Sequence, residues 1–91
     1  MNARKHVTVD GRVQNVFFRN RTKHEADTLG VKGWSLSRSD GQVEAIFEGE
    51  EAAVRKIIAF CKTEPPGAKV KSVAVTSGEH TGEFREFEIR Y

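Results

Sequence analysis

Apolar residues along this chain repeat with two periods, which together predict seven elements of secondary structure. Alternation of apolar and polar residues predicts strands over Lys5–Asp10, Gly33–Ser39, Gln42–Glu48, Lys69–Thr76 and Glu83–Tyr91. A spacing of three and four residues predicts helices over Arg19–Leu29 and Glu50–Lys62. Since the two kinds of element are interleaved, the pattern indicates a mixed α and β domain.

The second helix has the clearer amphipathic pattern. Its apolar stripe consists of Val54, Ile57, Ile58 and Cys61. Its first turn is acidic at Glu50 and Glu51, where the helix dipole favours negative charge. In the first helix the corresponding positions are Phe18, Thr22, Ala26 and Leu29, and Gly30 is expected to end it as a left-handed cap.

Short turn signals separate the other elements. Asp40-Gly41 predicts a two-residue β-hairpin loop, and Pro65–Gly67 predicts a break after the second helix. An irregular register is expected between Val70 and Val73, while residues 77–82 form a polar loop.

The order strand, helix, strand, strand, helix, strand, with one more strand at the end, predicts an α+β fold. Two such strand–helix–strand units build a ferredoxin-like two-layer sandwich, with both helices on one face of an antiparallel sheet. Ninety-one residues suffice for one compact domain, which we assign to residues 1–91.

Composition narrows the function classes. The net charge of +2 comes from basic and acidic residues that are interspersed, so no nucleic-acid-binding surface is predicted. The longest apolar run, Ile57–Cys61, is too short to span a membrane. A single cysteine indicates a reducing compartment. We therefore expect a cytoplasmic, monomeric protein that binds neither nucleic acid nor membranes.

The segment between the first strand and the first helix has the composition of an anion site. It reads Gly11-Arg12-Val13-Gln14-Asn15-Val16-Phe17-Phe18-Arg19. Amides at a helix N-terminus have no helical partner and carry partial positive charge, so they attract anions. A guanidinium at Arg19 could hold two phosphate oxygens at once. On these residues alone, an arginine at a helix start is more often a solvated surface charge than a ligand for an anion.

This segment closely resembles the acylphosphatase signature G-R-V-Q-G-V-x-F-R. The resemblance extends through Leu29–Trp34, Asp40–Glu44, Glu48-Gly49, Pro65–Ala68 and Phe87–Tyr91. It implies hydrolysis of acyl phosphates by water, without a metal or other cofactor. It further implies that the phosphoryl group is bound by Gln14, Asn15, Val16, Phe17, Phe18 and Arg19, and that inorganic phosphate or sulfate can bind as a product-like ligand.

Two residues depart from the family pattern. The family strand G-W-V-x-N has an asparagine that orients the attacking water, and Ser37 takes its place here as the second catalytic candidate beside Arg19. Asn15 replaces a signature glycine, although asparagine tolerates the left-handed region well. One alternative is therefore a weak or inactive phosphate-binding or regulatory domain. Another is that Asn15 or Asn20 supplies the missing carboxamide.

Other residues have less specific interpretations. Arg38 is expected to be a solvated hairpin charge, with an approach to bound phosphate as the alternative. Trp34 and Phe47 are expected to be core residues, and the alternative for Trp34 is a place at the rim of the substrate site. Three dispersed histidines do not predict a metal site, and Cys61 is expected to pack in the core. An RNA-recognition module has the same element order, but it displays aromatic residues on its central strands that this chain lacks.

Overall fold

The computed structural model describes residues 1–12, 16–62 and 69–90, with the side chains of residues 12, 16–19 and 69 excepted. Within these ranges the elements are β1 (Asn2–Arg12), α1 (Val16–Leu29), β2 (Lys32–Ser37), β3 (Val43–Glu50), α2 (Glu51–Lys62), β4 (Lys69–Gly78) and β5 (Phe87–Arg90). The five strands form one sheet in the order β4-β1-β3-β2-β5. The predicted ferredoxin-like α+β sandwich is confirmed, with both helices packed on one face of the sheet.

The sheet is mixed, because its last strand pairs in parallel whereas the other strands pair antiparallel. Strands β1 to β4 pair antiparallel, as predicted. Strand β5 pairs in parallel with β2, which lies between β3 and β5, and Gly33 is opposite Phe87 in that ladder. The sequence predicted this strand but not its parallel direction.

The core lies between the sheet and the two helices. The sheet contributes alternate residues of the central strands, including Val7 and Val9 of β1 and Phe47 of β3, all at most 1% exposed. The α2 stripe predicted from helical spacing is buried at all four positions. Phe47 stacks on Phe87 of β5, with ring centroids 5.5 Å apart. This contact joins the added strand to the core of the four-stranded sheet.

The hairpin between β2 and β3 is confirmed, although its loop has three residues rather than two. The amide of Arg38 donates to the carbonyl of Gln42 (2.7 Å), and the amide of Gly41 donates to the carbonyl of Arg38 (3.2 Å). Gly41 has a φ of +91°, which favours glycine at the third loop position. The side chain of Arg38 pairs with that of Asp40 at 2.7 Å, so its charge is offset inside the turn.

The predictions for the end of α1 and for the register of β4 are also confirmed. Gly30 has a φ of +73° and its amide donates to the carbonyl of Asp27, so it ends α1 in the left-handed conformation. The irregular register of β4 is a β-bulge, because Asp10 is opposite Ser72 whereas Gly11 is opposite Val70. The predicted break at Pro65–Gly67 lies outside the described residues.

The face of the sheet away from the helices is partly covered by residues 79–86. Glu48 of β3 lies on this face and is 2% exposed. Its carboxylate accepts hydrogen bonds from the Arg4 guanidinium (2.6 Å), the Thr81 amide and hydroxyl, and the Gly82 amide (3.0 Å). Through these hydrogen bonds, the buried cluster holds the connection between β4 and β5 against the central strands.

Trp34 lies on the same outer face, so the prediction that it belongs to the core was wrong. Its ring is half-buried, and the guanidinium of Arg90 stands 5.0 Å from the ring centroid. The alternation of β2 directs Gly33 and Ser35 toward the helices, which places Trp34 on the opposite side. Because Trp34 is flanked by the small residues Gly33 and Ser35, the sequence pattern did not indicate which face of β2 is buried.

The single cysteine provides a test of this packing. Burial raises the pKa of the Cys61 thiol to about 12, although a hydrogen bond with Thr22 opposes the increase. Because the thiolate is the reactive form, we expect the folded protein to resist thiol reagents at pH 8 and the unfolded protein to react at once. Labelling with a chromogenic disulfide, with and without denaturant, measures this, and rapid labelling of the native protein would contradict the burial.

Candidate active site

The candidate site lies at the end of the sheet where the C-terminal ends of β1 and β2 are found. In the pairing register, Val9 of β1 is opposite Val43 of β3, and Val43 is opposite Ser37, the last residue of β2. These three residues therefore form one row across neighbouring strands, and Ser37 is about 10 Å from Val9. Strand β1 continues from Val9 to Arg12. The register places Ser37 at the same end of the sheet as the end of β1.

Helix α1 begins at this edge. Strand β1 ends at Arg12 and α1 starts at Val16, so the N-terminal amides of the helix lie at the same end of the sheet as Ser37. The first turn of α1 contains no acidic residue. Its amides and the positive end of the helix dipole are thus not neutralised by a carboxylate of that turn, which suits an external anion.

Ser37 has an unusual environment for a serine at a strand end. The residue is half-buried, and its Oγ atom is fully buried without a hydrogen-bond partner among the described residues. A buried hydroxyl without a partner costs roughly 1–3 kcal/mol. Such a group is expected where a ligand or water supplies the partner. In the structure, the hydroxyl that the sequence resemblance singled out is therefore buried and has no partner among the described residues.

Ser35 is a second hydroxyl of this kind, and the sequence interpretation did not include it. Its side chain is 1% exposed, and its Oγ atom also lacks a partner within the described part of the chain. Ser35 and Ser37 are two positions apart on β2 and share the face toward the helices. Serine on the buried face of a strand was the available signal, because the family pattern has valine at this position.

The other predicted site residues are distributed as follows. Gln14 and Asn15 lie outside the described residues. Val16, Phe17, Phe18 and Arg19 form the first turn of α1 by their backbone, and their side chains lie outside the description. Asn20, the alternative source of a carboxamide, is exposed on α1.

The end of β5 reaches the same edge as Ser37. Leu36 is opposite Arg90 in the parallel ladder between β2 and β5. The side chain of Arg90 turns to the outer face, where it stands over Trp34 and lines a cavity of about 470 Å³ with residues of the β4–β5 connection. This cavity is on the opposite side of the sheet from the Ser37 hydroxyl.

Within residues 1–12, 16–62 and 69–90, no group of three or more His, Cys, Asp or Glu residues is arranged to hold a metal ion. Helices α1 and α2 are both too short and too polar to cross a membrane.

These features define a class: a two-layer α+β sandwich whose first helix begins at the end of the sheet where β2 also ends. Comparison with known proteins gives the family. The acylphosphatase family model matches residues 5–89, and the chain belongs to the acylphosphatase family. The predicted identification of the family is therefore confirmed.

Similar proteins cover nearly the whole chain. An acylphosphatase of Pelotomaculum thermopropionicum is 46% identical over 98% of this chain and 97% of its own length. One from Pyrobaculum islandicum is 48% identical over 97% and 94%. The crystal structure of acylphosphatase from Bacillus subtilis superposes with a TM-score of 0.92, at 36% identity and complete coverage of both chains. Family, fold and length thus all agree with an acylphosphatase.

Proposed function

We propose that the protein hydrolyses the carboxyl–phosphate bond of small acyl phosphates. The observation that carries this proposal beyond family membership is the buried, unpartnered Ser37 hydroxyl at the edge where α1 begins. A phosphoryl group bound at the helix N-terminus would lie within reach of both helix amides and this hydroxyl. The residues that bind it would be Gln14 to Arg19, as the family signature implies.

The reaction needs little chemistry from the protein. The oxygen of a water molecule attacks phosphorus, the bond between phosphorus and the acyl oxygen breaks, and the electron pair leaves with the carboxylate. An acyl phosphate dianion and water thus give a carboxylate and dihydrogen phosphate, which balances atoms and charge. Since a carboxylate is a good leaving group, positioning and electrostatic stabilisation can carry the catalysis.

In this proposal Arg19 and the amides of the loop hold the phosphoryl oxygens, and Ser37 orients the attacking water. A hydroxyl has one donor and two acceptor sites, so Ser37 can accept a hydrogen bond from the water while its own proton points elsewhere. That orientation directs a lone pair of the water toward phosphorus. Asn20 is not needed for this step.

Hydrolysis of benzoyl phosphate in H₂¹⁸O tests the function directly. We expect enzyme-dependent release of benzoate and phosphate, with the isotope in phosphate and not in benzoate, since attack is at phosphorus. Isotope in benzoate would contradict attack at phosphorus. No turnover would favour the alternative of a phosphate-binding domain without catalysis. Titration of the protein with phosphate, followed by calorimetry, would then detect the binding.

Ser37→Asn tests the role of the residue at the end of β2. A carboxamide reaches farther than a hydroxyl and can donate and accept at once, so we expect kcat for benzoyl phosphate to rise about 10²-fold, the scale of one well-placed polar group at a transition state. Ser39→Asn, on the exposed hairpin loop, is the matched control and should leave kcat unchanged. An unchanged rate in Ser37→Asn would show that this position does not limit the reaction.

A further inference from the structure

Helix α1 has few large apolar contacts with the sheet in its described part. Of residues 20–29, only Thr22 and Ala26 are at most 2% exposed, and Leu29 is partly buried at the end far from the candidate site. Threonine and alanine bury little apolar area, whereas the stripe of α2 consists mainly of valine and isoleucine. Polar contacts therefore have more influence on the placement of α1 than on that of α2.

Lys23 provides a polar contact between α1 and the strand β5. Its Nζ atom donates to the carbonyl oxygen of Phe87 at 2.9 Å and lies 3.2 Å from a carboxylate oxygen of Asp27 on the next helical turn. The carbonyl of Glu86 accepts from the amide of Gly33 in β2. Since successive carbonyls of a strand point to opposite sides, that of Phe87 points away from β2, toward the open side of the edge strand β5. Lys23 gives this outward carbonyl a partner.

Phe87, whose carbonyl accepts this hydrogen bond, is firmly packed. Its side chain is 0% exposed, and its ring stacks on that of Phe47 in β3. The hydrogen bond itself is partly buried. Because the donor is an ammonium group, the bond is charge-assisted and stronger than one between neutral groups. It therefore holds Lys23, and with it the middle of α1, at a defined position on the sheet.

The end of α1 far from the candidate site is fixed by a short connection to β2. Strand β2 starts three residues after the helix ends, and the amide of Val31 donates to the carbonyl of Ala26 at 2.8 Å. The helix from Leu29 back to Val16 is about 20 Å long, so a swing of about 3° around its fixed end moves its start by about 1 Å. Lys23 lies roughly 10 Å from that start. A contact at Lys23 restrains the swing without reaching a substrate bound at the helix N-terminus.

We propose that Lys23 is a positioning residue, which sets the placement of α1 against the sheet through the Phe87 carbonyl. The inference rests on the proposed function, in which Arg19 and the helix amides bind the phosphoryl group while Ser37 of β2 orients the water. The groups on α1 move together with the helix, whereas Ser37 stays with the sheet. The distance between phosphorus and the attacking water therefore depends on how α1 is held. A displacement of about 1 Å lowers a rate by up to about 10²-fold.

Lys23→Met tests this role, because methionine keeps an unbranched side chain but has neither the charge nor the donor. We expect kcat for benzoyl phosphate to fall about 10-fold, while the Kd of inorganic phosphate changes less than about 2-fold, since Arg19 and the helix amides move as one unit. Lys23→Arg retains a cationic donor and should keep kcat within about 2-fold of wild type. Arg21→Met removes an exposed cation from the same helix and is the matched control, with kcat unchanged. Equal kcat values in Lys23→Met and Arg21→Met would overturn the inference.

Coupling to Ser37 separates positioning from a loss of stability. Rates are compared well below the melting temperature of each variant, so that unfolding does not contribute to them. If Lys23 acts on the geometry between α1 and Ser37, its effect on kcat should disappear once Ser37→Ala has removed the group that orients the water. An effect that persists undiminished in the Ser37→Ala background would overturn the inference. A phosphate Kd that rises as much as kcat falls would do the same, because it would assign Lys23 to phosphate binding.

Crystal structures of wild type and Lys23→Met give a test that does not depend on activity. With the strands superposed, the first turn of α1 should be displaced by about 1 Å in the variant, and coincident helices would overturn the inference. If wild type hydrolyses benzoyl phosphate but Lys23→Met has an unchanged kcat, the inference fails while the proposed function stands. If wild type does not hydrolyse it, the proposed function fails and the positioning role of Lys23 in catalysis fails with it.

Discussion

Replacing Arg19 by alanine is expected to lower kcat/KM for benzoyl phosphate by about 10³-fold, because one guanidinium on a transferred phosphoryl group contributes on that scale or more. In the proposed site this group is the cation that meets the phosphoryl oxygens at the start of α1. Inhibition by inorganic phosphate should weaken in the same variant, since phosphate would bind through the same contacts.

Two variants control for charge and for geometry. Arg21→Ala removes an exposed cation from the same helix and should change kcat/KM less than about 2-fold. Arg19→Lys keeps the charge but loses the planar fork, so its activity should fall between those of wild type and Arg19→Ala. If Arg19→Ala and Arg21→Ala lose activity equally, the effect is one of net charge and the proposed role of Arg19 is wrong.

The second large effect concerns stability and comes from Glu48. Burial by itself raises the pKa of this carboxyl, but hydrogen bonds from Arg4, Thr81 and Gly82 outweigh that effect and lower the pKa to about 2. The difference from the ordinary value of 4.5 corresponds to roughly 3 kcal/mol at neutral pH. We therefore expect Glu48→Gln to lower the free energy of unfolding by about 3 kcal/mol at pH 7. The amide group of glutamine also places an N–H donor beside the donors of Arg4, Thr81 and Gly82, with which it cannot form a hydrogen bond.

The pH dependence gives a sharper test. A carboxyl with a lowered pKa in the folded state stabilises the protein above its unfolded pKa, and this contribution is lost as pH falls toward its folded pKa. The stability difference between wild type and Glu48→Gln should be constant above about pH 5 and shrink steadily between about pH 4.5 and 2. Urea denaturation at several pH values measures it.

Glu50→Gln is the matched control for this experiment. Glu50 ends the same strand, and its side chain is 68% exposed and contacts the terminal ammonium at 3.3 Å. An exposed pair of this kind contributes less than about 1 kcal/mol. A stability difference for Glu48→Gln as small as that for Glu50→Gln would mean that the buried cluster does not hold the β4–β5 connection in solution.

The sequence predicted most reliably those elements that pack through one continuous stripe of apolar residues. Helix α2 has four apolar residues at helical spacing, and all four are buried. Helix α1 was predicted to start at Arg19, whereas it starts at Val16. Residues 16–18 are all apolar, so they show no helical period and the beginning of the helix could not be located from the pattern.

Strand β1 was also longer than predicted, and the reason differs. It begins at Asn2, although alternation is visible only from Lys5. Arg4, on the outer face, is held by Glu48 and Glu83, which are distant in sequence. Likewise Glu48 looked like an ordinary exposed residue of an alternating strand, because the residues that bury it belong to the connection folded over that face.

The candidate site was predicted in part. Family resemblance singled out Ser37, and the register of β1, β2 and β3 places the end of β2 at the same end of the sheet as the end of β1, after which α1 follows in the chain. Ser35 was overlooked, although a serine on the buried face of a strand, where the family pattern has valine, was an available signal. That its hydroxyl has no partner among the described residues follows only from the coordinates.

The parallel direction of β5 has a practical consequence for handling the protein. Residue 2 lies opposite Glu50, at the sheet edge away from Ser37, whereas Arg90 lies opposite Leu36, next to it. An affinity tag or surface linker fused after the last strand would therefore emerge beside the proposed substrate site. Fusion ahead of β1 is the better choice for immobilised enzyme.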